Sequence, residues 1–218
     1  YVLEQPSSTV AEAVRTLRTV LNLRAADDSG KKPKVVTITS SFPGEGKTTL
    51  SCWLAQLAAK SGDKVILLDC DLRRPNVHRS LDQNNDVSLV EYLSDKCKLE
   101  EAIHKHEASG LYTMYAKSVP NSALDLVSSQ KMEKLVEALS EEYDLVILDS
   151  PACLAVSDAR ILARYSDLTI YSVAWDRTPR EVVLGGVKQF SDMGCDNLAF
   201  TLTNVDIKDR KSTRLNSS

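Results

Sequence analysis

A chain of 218 residues, 43% apolar and 26% charged, is long enough to bury one substantial α/β core with a small appendage. A net charge of −3 leaves no electrostatic footprint for nucleic acid or an anionic lipid surface, so neither is expected as a partner. The best apolar run, "LTIYSVAW", falls far short of the ~18–20 residues of a membrane span. No signal-peptide pattern opens the chain, and its first residue is Tyr1 rather than Met, which reads as a fragment or a processed product. Its five cysteines, Cys52, Cys70, Cys97, Cys153 and Cys195, are odd in number and never in C-x-x-C spacing. Reduced thiols in a cytosolic compartment are the expectation.

The first predicted element is a helix over Val10–Leu23. Val10, Ala13, Val14, Leu17, Val20 and Leu21 recur at helical spacing as an apolar stripe. Glu12, Arg15 and Arg18 gather on the opposite side within about a third of a turn. "AADDSGKKPK" reads as a linker. Six β-rich runs then alternate with helical stretches: "KVVTIT", "KVILLDCD", "LYTMY", "YDLVILDS", "DLTIYSVAW" and "NLAFTLTNV". Helices are predicted around 47–60, 88–103, 130–142, 158–165 and 179–192. Continuous Val/Ile/Leu strands are buried on both faces, which predicts an α/β fold with a doubly wound, mainly parallel sheet. The final "KSTRLNSS" has no periodicity and reads as foreign to the fold. The expected division is a helix and linker over 1–30, the main domain over 31–208 and a tail over 209–218.

"SSFPGEGKTTL" joins the first strand to the 47–60 helix. A glycine-rich turn in that place holds phosphates with successive backbone N–H groups and the helix dipole. Pro43, Gly44, Glu45, Gly46, Lys47, Thr48 and Thr49 form this cradle; Lys47 reaches the β- and γ-phosphates and the Thr48 hydroxyl meets Mg²⁺. The strict G-x-x-x-x-G-K-[ST] pattern asks for glycine where Ser41 stands, a small departure. In "VILLDCDLRRP", Asp69 and Asp71 end a strand, and a spacing of two puts both carboxylates on one face. Such a pair repels unless a cation lies between. Asp69 is then a base for a hydroxyl proton or a metal ligand, with Asp71 its partner; in the plainer alternative one of them caps the turn. Asp149, closing "YDLVILD", fits the second acidic motif that holds Mg²⁺ directly or through water. Arg73 and Arg74 either meet phosphate or brace the loop. His104 and His106 read as solvated surface of a charged helix, and Cys153 as a buried inert thiol.

"EAVRTLR", "SSFPGEGKTT", "VILLDCDLRRP" and "LVILDSP", in that order, resemble the bacterial tyrosine kinases, which use a phosphate-loop (P-loop NTPase) fold. The similarity runs from about Glu12 to Asp206 and takes in "DSPACLAVSDARIL" and "WDRTPREVV". The resemblance implies ATP- and Mg²⁺-dependent autophosphorylation on tyrosine, coupled to polysaccharide export or assembly. It gives catalytic duties to Lys47, Asp69 and Asp71, and metal ligation to Thr48, Asp71 and Asp149. It makes Glu12, Arg15 and Arg18 an oligomerisation motif of a ring of copies, and Asn204 in "LTNVD" an adenine contact. The expected location is the cytoplasmic face of the bacterial inner membrane, beside a membrane activator or polysaccharide co-polymerase domain, fused or separate.

One departure stands out. The family's acceptor is a C-terminal tyrosine cluster, yet the seven tyrosines here are Tyr1, Tyr92, Tyr112, Tyr115, Tyr143, Tyr165 and Tyr171, and "MYAKSVPNSALDL" also differs from the usual glycine- and proline-rich version. The competing reading is a switch ATPase of the partitioning and division-site class, with water as acceptor. Those proteins carry an additional lysine early in the loop, where this chain has Ser40, Ser41, Phe42 and Pro43. A third reading, a nucleotide-binding module without catalysis, sits poorly with intact Lys47, Thr48, Asp69, Asp71 and Asp149.

Overall fold

The structure, a computed structural model, describes residues 1–23, 32–83 and 87–206. Most of the expected linker and the whole expected tail lie outside the described residues. Strands β1 (Val35–Ser40), β2 (Val65–Asp69), β3 (His104–His106), β4 (Leu111–Met114), β5 (Leu145–Asp149), β6 (Leu168–Ala174) and β7 (Leu198–Thr203) form one sheet in the order β3-β4-β2-β5-β1-β6-β7. Every neighbouring pair is parallel except β3 with β4. β1, β2 and β5 are buried at every position, as strands covered on both faces must be.

Strand periodicity sorts the side chains. Val36, Ile38, Val65, Leu67, Leu145, Ile147, Leu168 and Ile170 meet α1 (Thr9–Leu23) and α2 (Lys47–Lys60) on one face. Ile66, Leu68, Val146 and Leu148 meet the other face, which carries α4 (Leu89–Leu93), α5 (Leu99–Ala102), α6 (Ala123–Val127) and α7 (Gln130–Glu142). α8 (Asp158–Arg164) and α9 (Arg180–Ser191) close the sheet around Tyr171 and Phe190. The same parity that sends Val65, Leu67, Leu145 and Ile147 toward α2 sends Asp69 and Asp149 there as well.

Several expectations change. The helix expected over 88–103 is two short helices, α4 and α5, parted by a turn in which Asp95 is left-handed at φ 59°. His104 and His106 lie on edge strand β3, not on a charged helix: His104 Nε2 bonds the Val87 carbonyl at 2.8 Å and its ring stacks on Tyr115. His106 Nδ1 bonds the Ser109 hydroxyl at 2.9 Å. Two short helices, α3 (Val77–Ser80) and α6, stand where none was expected. On α1 the buried positions are Ala11, Val14 and Leu21, while Ala13 and Val20 of the expected stripe face outward.

Candidate active site

The phosphate loop follows β1 because its glycines reverse the chain: Gly44 and Gly46 have φ of 83° and 80°, a region costly for residues with a Cβ. Gly46 is also the N-cap of α2, and no side chain caps it, so the first-turn N–H groups keep their capacity for an anion. Pro43 and Gly44 are exposed, Lys47 opens α2 nearly buried, and Thr49 faces out from the first turn. Ser41, in place of the expected glycine, is buried and shares a 2.8 Å hydrogen bond with the Tyr171 hydroxyl.

Thr48 Oγ1 donates to Asp149 Oδ2 at 2.7 Å, and Ser51 Oγ donates to Asp149 Oδ1 at 2.8 Å. Burial pushes the Asp149 carboxyl up to about 6; the Lys47 charge and the bonds from Thr48 and Ser51 pull against that rise. Asp69 stands in register with Asp149 across β2 and β5. Its Oδ2 accepts the N–H groups of Asn76 and Val77 at 3.0 and 2.9 Å, while its Oδ1 is buried with no hydrogen-bond partner among the described residues. Burial first, then the Asp149 charge, hold the Asp69 carboxyl well above the usual carboxylate range, against those N–H bonds.

β2 ends at Asp69, so Asp71 stands in the following turn, not on the strand. Its Oδ1 accepts the Arg74 N–H at 3.0 Å. The carboxylate facing Asp69 on the shared strand face is therefore Asp149. Arg73 braces this turn: Nε donates to Asp158 at 2.9 Å, Nη2 to the same carboxylate at 3.3 Å, and Nη1 to the Pro120 carbonyl at 2.9 Å. Asp158 is buried, so this pair ties the acidic turn to the start of α8. Arg74 is exposed.

A family model described as an AAA domain matches residues 33–204. The Bacillus subtilis tyrosine-protein kinase YwqD is 35% identical over 179 residues, covering 82% of this chain and 74% of that protein. A Klebsiella pneumoniae relative, named for a tyrosine-protein kinase in a cps region, is 32% identical over 192 residues, covering 88% of this chain but 26% of that protein. The solved kinase domain of the Escherichia coli tyrosine kinase Etk matches with a TM-score of 0.85 at 28% identity, over 94% of this chain and 81% of that one. This chain belongs to the bacterial tyrosine kinases.

Within this kinase fold the predicted Lys47, Thr48, Asp69 and Asp149 converge where β1, β2 and β5 meet α2, with Asp71 at the rim. Asn204, left-handed at φ 54°, is exposed just past β7, beside Thr203, whose Cβ lies 3.4 Å from the place a Cβ on Gly46 would take. Glu12, Arg15 and Arg18 lie apart from this cluster on α1. Arg18 turns to Asp63, with Nη2 at 2.7 Å, while Arg15 pairs with Glu12 at 2.8 Å near solvent. Cys153 is buried and contacts the Tyr171 hydroxyl at 3.2 Å. Burial raises its pKa above the usual thiol value, as expected of an inert thiol. Sequence reasoning missed Ser51; its place one turn beyond Lys47 on α2 was the available signal.

Magnesium fits these donors. Thr48 and Asp149 present adjacent hard oxygens, and Asp69 Oδ1 is a buried acceptor lacking a partner. Among the described residues no group of three or more His, Cys, Asp or Glu could hold a metal alone. That suits an ion bound through one or two carboxylates with substrate phosphates and water completing its shell.

Proposed function

We propose that this domain transfers the γ-phosphoryl group of ATP to a tyrosine hydroxyl. The observation that carries the reading is the in-register pair of buried carboxylates beside Lys47, one of them with an oxygen that no group among the described residues satisfies. The loop N–H groups from Gly44 to Thr49 bind the phosphates, and Lys47 meets the β- and γ-phosphates. Thr48 and Asp149, with Asp71 at the rim, would hold a magnesium ion, which when bound would offset charge on the transferring group. Asp69 is oriented by the Asn76 and Val77 N–H groups, and its Oδ1 takes the proton of the acceptor hydroxyl. Asp69 has no exposure in this structure, so the acceptor hydroxyl reaches it only after a local rearrangement. Asn204 contacts the adenine. The absence of a lysine among Ser40, Ser41, Phe42 and Pro43 weighs against the switch-ATPase reading.

The Lys47→Met variant is expected to abolish phosphotyrosine on a tyrosine-rich peptide, read with an anti-phosphotyrosine antibody. Unchanged labelling contradicts the role given to Lys47.

The acceptor is tyrosine on a second copy, and the role is in capsular or exopolysaccharide assembly and export at the cytoplasmic face of the inner membrane. A membrane activator or co-polymerase domain, fused or separate, is the partner. The relative named for a cps region supports this setting. No helix among the described residues is long and apolar enough to cross a membrane. Copies assemble into a ring through Glu12 and Arg15, which stand exposed or partly exposed on α1, with Arg18 holding α1 to Asp63. Replacing Glu12 and Arg15 together by Ala is expected to lower the mass measured by light scattering; an unchanged mass removes that face of α1 from the interface.

A further inference from the structure

Glu45 lies inside the phosphate loop yet is only 4% exposed. A carboxylate buried beside a site for negatively charged phosphates opposes ligand binding unless it has a structural task. Among the described residues no Lys or Arg forms an ion pair with it. Its partners are neutral: Oε2 accepts the Phe42 N–H at 2.7 Å, and Oε1 accepts the Thr178 hydroxyl. The main chain of the same residue is pinned as well, since its carbonyl accepts Ser172 Oγ at 2.7 Å and Thr203 Oγ1 at 2.8 Å. Ser172 belongs to β6, Thr203 ends β7, and Thr178 lies in the turn between β6 and α9. Three segments remote in sequence therefore converge on one loop residue, directly ahead of Gly46 and Lys47. The Phe42 N–H is turned to Glu45, which leaves Gly44–Thr49 as the part of the loop that can face phosphate.

We propose that Glu45 and Thr178 are positioning residues for the nucleotide: the Glu45 carboxylate, held between the Phe42 N–H and the Thr178 hydroxyl, sets the loop geometry that determines Mg-nucleotide affinity. The proposal rests on the reading of this loop as the ATP site, though not on tyrosine being the acceptor. The hydroxyl–carboxylate bond is charge-assisted and buried at the Glu45 end, so its loss frees the loop to sample shapes that bind phosphate less well. Thr178→Val keeps the side-chain shape and deletes the donor; Thr178→Ser keeps the donor.

The test is calorimetric titration of the purified chain with Mg-ADP, which needs no phosphoryl transfer, together with melting of the empty proteins. Thr178→Val is expected to bind about tenfold more weakly, the effect of one buried charge-assisted hydrogen bond, and Thr178→Ser to stay within about twofold of the parent. Parental affinity in Thr178→Val overturns the proposal, and a lowered melting temperature with that affinity makes the contact structural only. An equal loss in both variants overturns it too, since the hydroxyl is then not the cause. A parent that binds Mg-ADP but forms no phosphotyrosine sinks the kinase reading and leaves this inference standing. A parent that binds no Mg-ADP overturns both.

Discussion

Asp69→Asn is expected to abolish tyrosine phosphorylation while raising the melting temperature of the empty domain by roughly 2–6 °C, the size of a ~1–2 kcal/mol gain in a chain of this length. The two effects share one cause. Asp69 is a fully buried carboxylate facing Asp149, and one oxygen is unpartnered; that costs stability until a cation or proton arrives. Asparagine keeps an oxygen for the Asn76 and Val77 N–H groups and is neutral, but it cannot take a proton from a hydroxyl. The gain depends on pH in a definite direction. A carboxyl whose folded pKa is raised binds more protons folded than unfolded, so its penalty is complete above the folded pKa and fades as pH falls toward the unfolded value. For Asp149 that window runs from about 6 down to 3.8, and Asp69 shifts in the same direction. The advantage of Asp69→Asn is therefore largest near neutral pH and shrinks in acid. Melting curves at two pH values check this; a lower melting temperature for the variant at pH 7 contradicts the strain assigned to the pair.

Gly186→Ala is expected to have the largest effect of any small substitution outside the site. A Cβ there would lie 2.1 Å from the Tyr171 hydroxyl and 3.0 Å from Cζ. Tyr171 cannot swing aside, since it is fully buried, packs edge-on against Phe190 and bonds Ser41 at 2.8 Å. Alanine normally favours a helix over glycine by about 1 kcal/mol, but overpacking of about 1–3 kcal/mol or more outweighs that. A melting temperature lower by roughly 4–8 °C and weaker Mg-ADP binding are expected, because the displaced tyrosine releases the loop at Ser41. Gly185→Ala is the control, as a Cβ there meets nothing within 4 Å. Equal melting temperatures for the two variants would contradict the packing argument.

The parts of the fold legible in the sequence are those with local physical signals. β1, the glycine turn and α2 were readable because an apolar run, two glycines and a helical run stand consecutively. β2 and β5 were readable because both of their faces are buried. Asp149 carried its own marker at the end of an apolar run. What was missed depends on tertiary partners. The spacing of two suggests that Asp71 shares the strand of Asp69, but β2 ends at Asp69, two residues short of it. β3 was hidden because an edge strand of two histidines and a lysine has no apolar alternation. The break between α4 and α5 turns on Asp95 adopting a left-handed conformation, which composition alone does not announce. In sequence Arg18 stands as one of three charges on the polar side of α1, whereas its partner Asp63 is 45 residues away. Ser172, Thr178 and Thr203 reach Glu45 from separations of 127, 133 and 158 residues, so no local window contains the brace.

The most direct test is to incubate the purified chain with radiolabelled ATP and Mg²⁺, with and without a tyrosine-rich acceptor peptide, and to identify the labelled amino acid. The account predicts label on tyrosine, lost in Asp69→Asn. Phosphate released to water, with none on tyrosine under either condition, would contradict it and make this loop the motor of a switch ATPase.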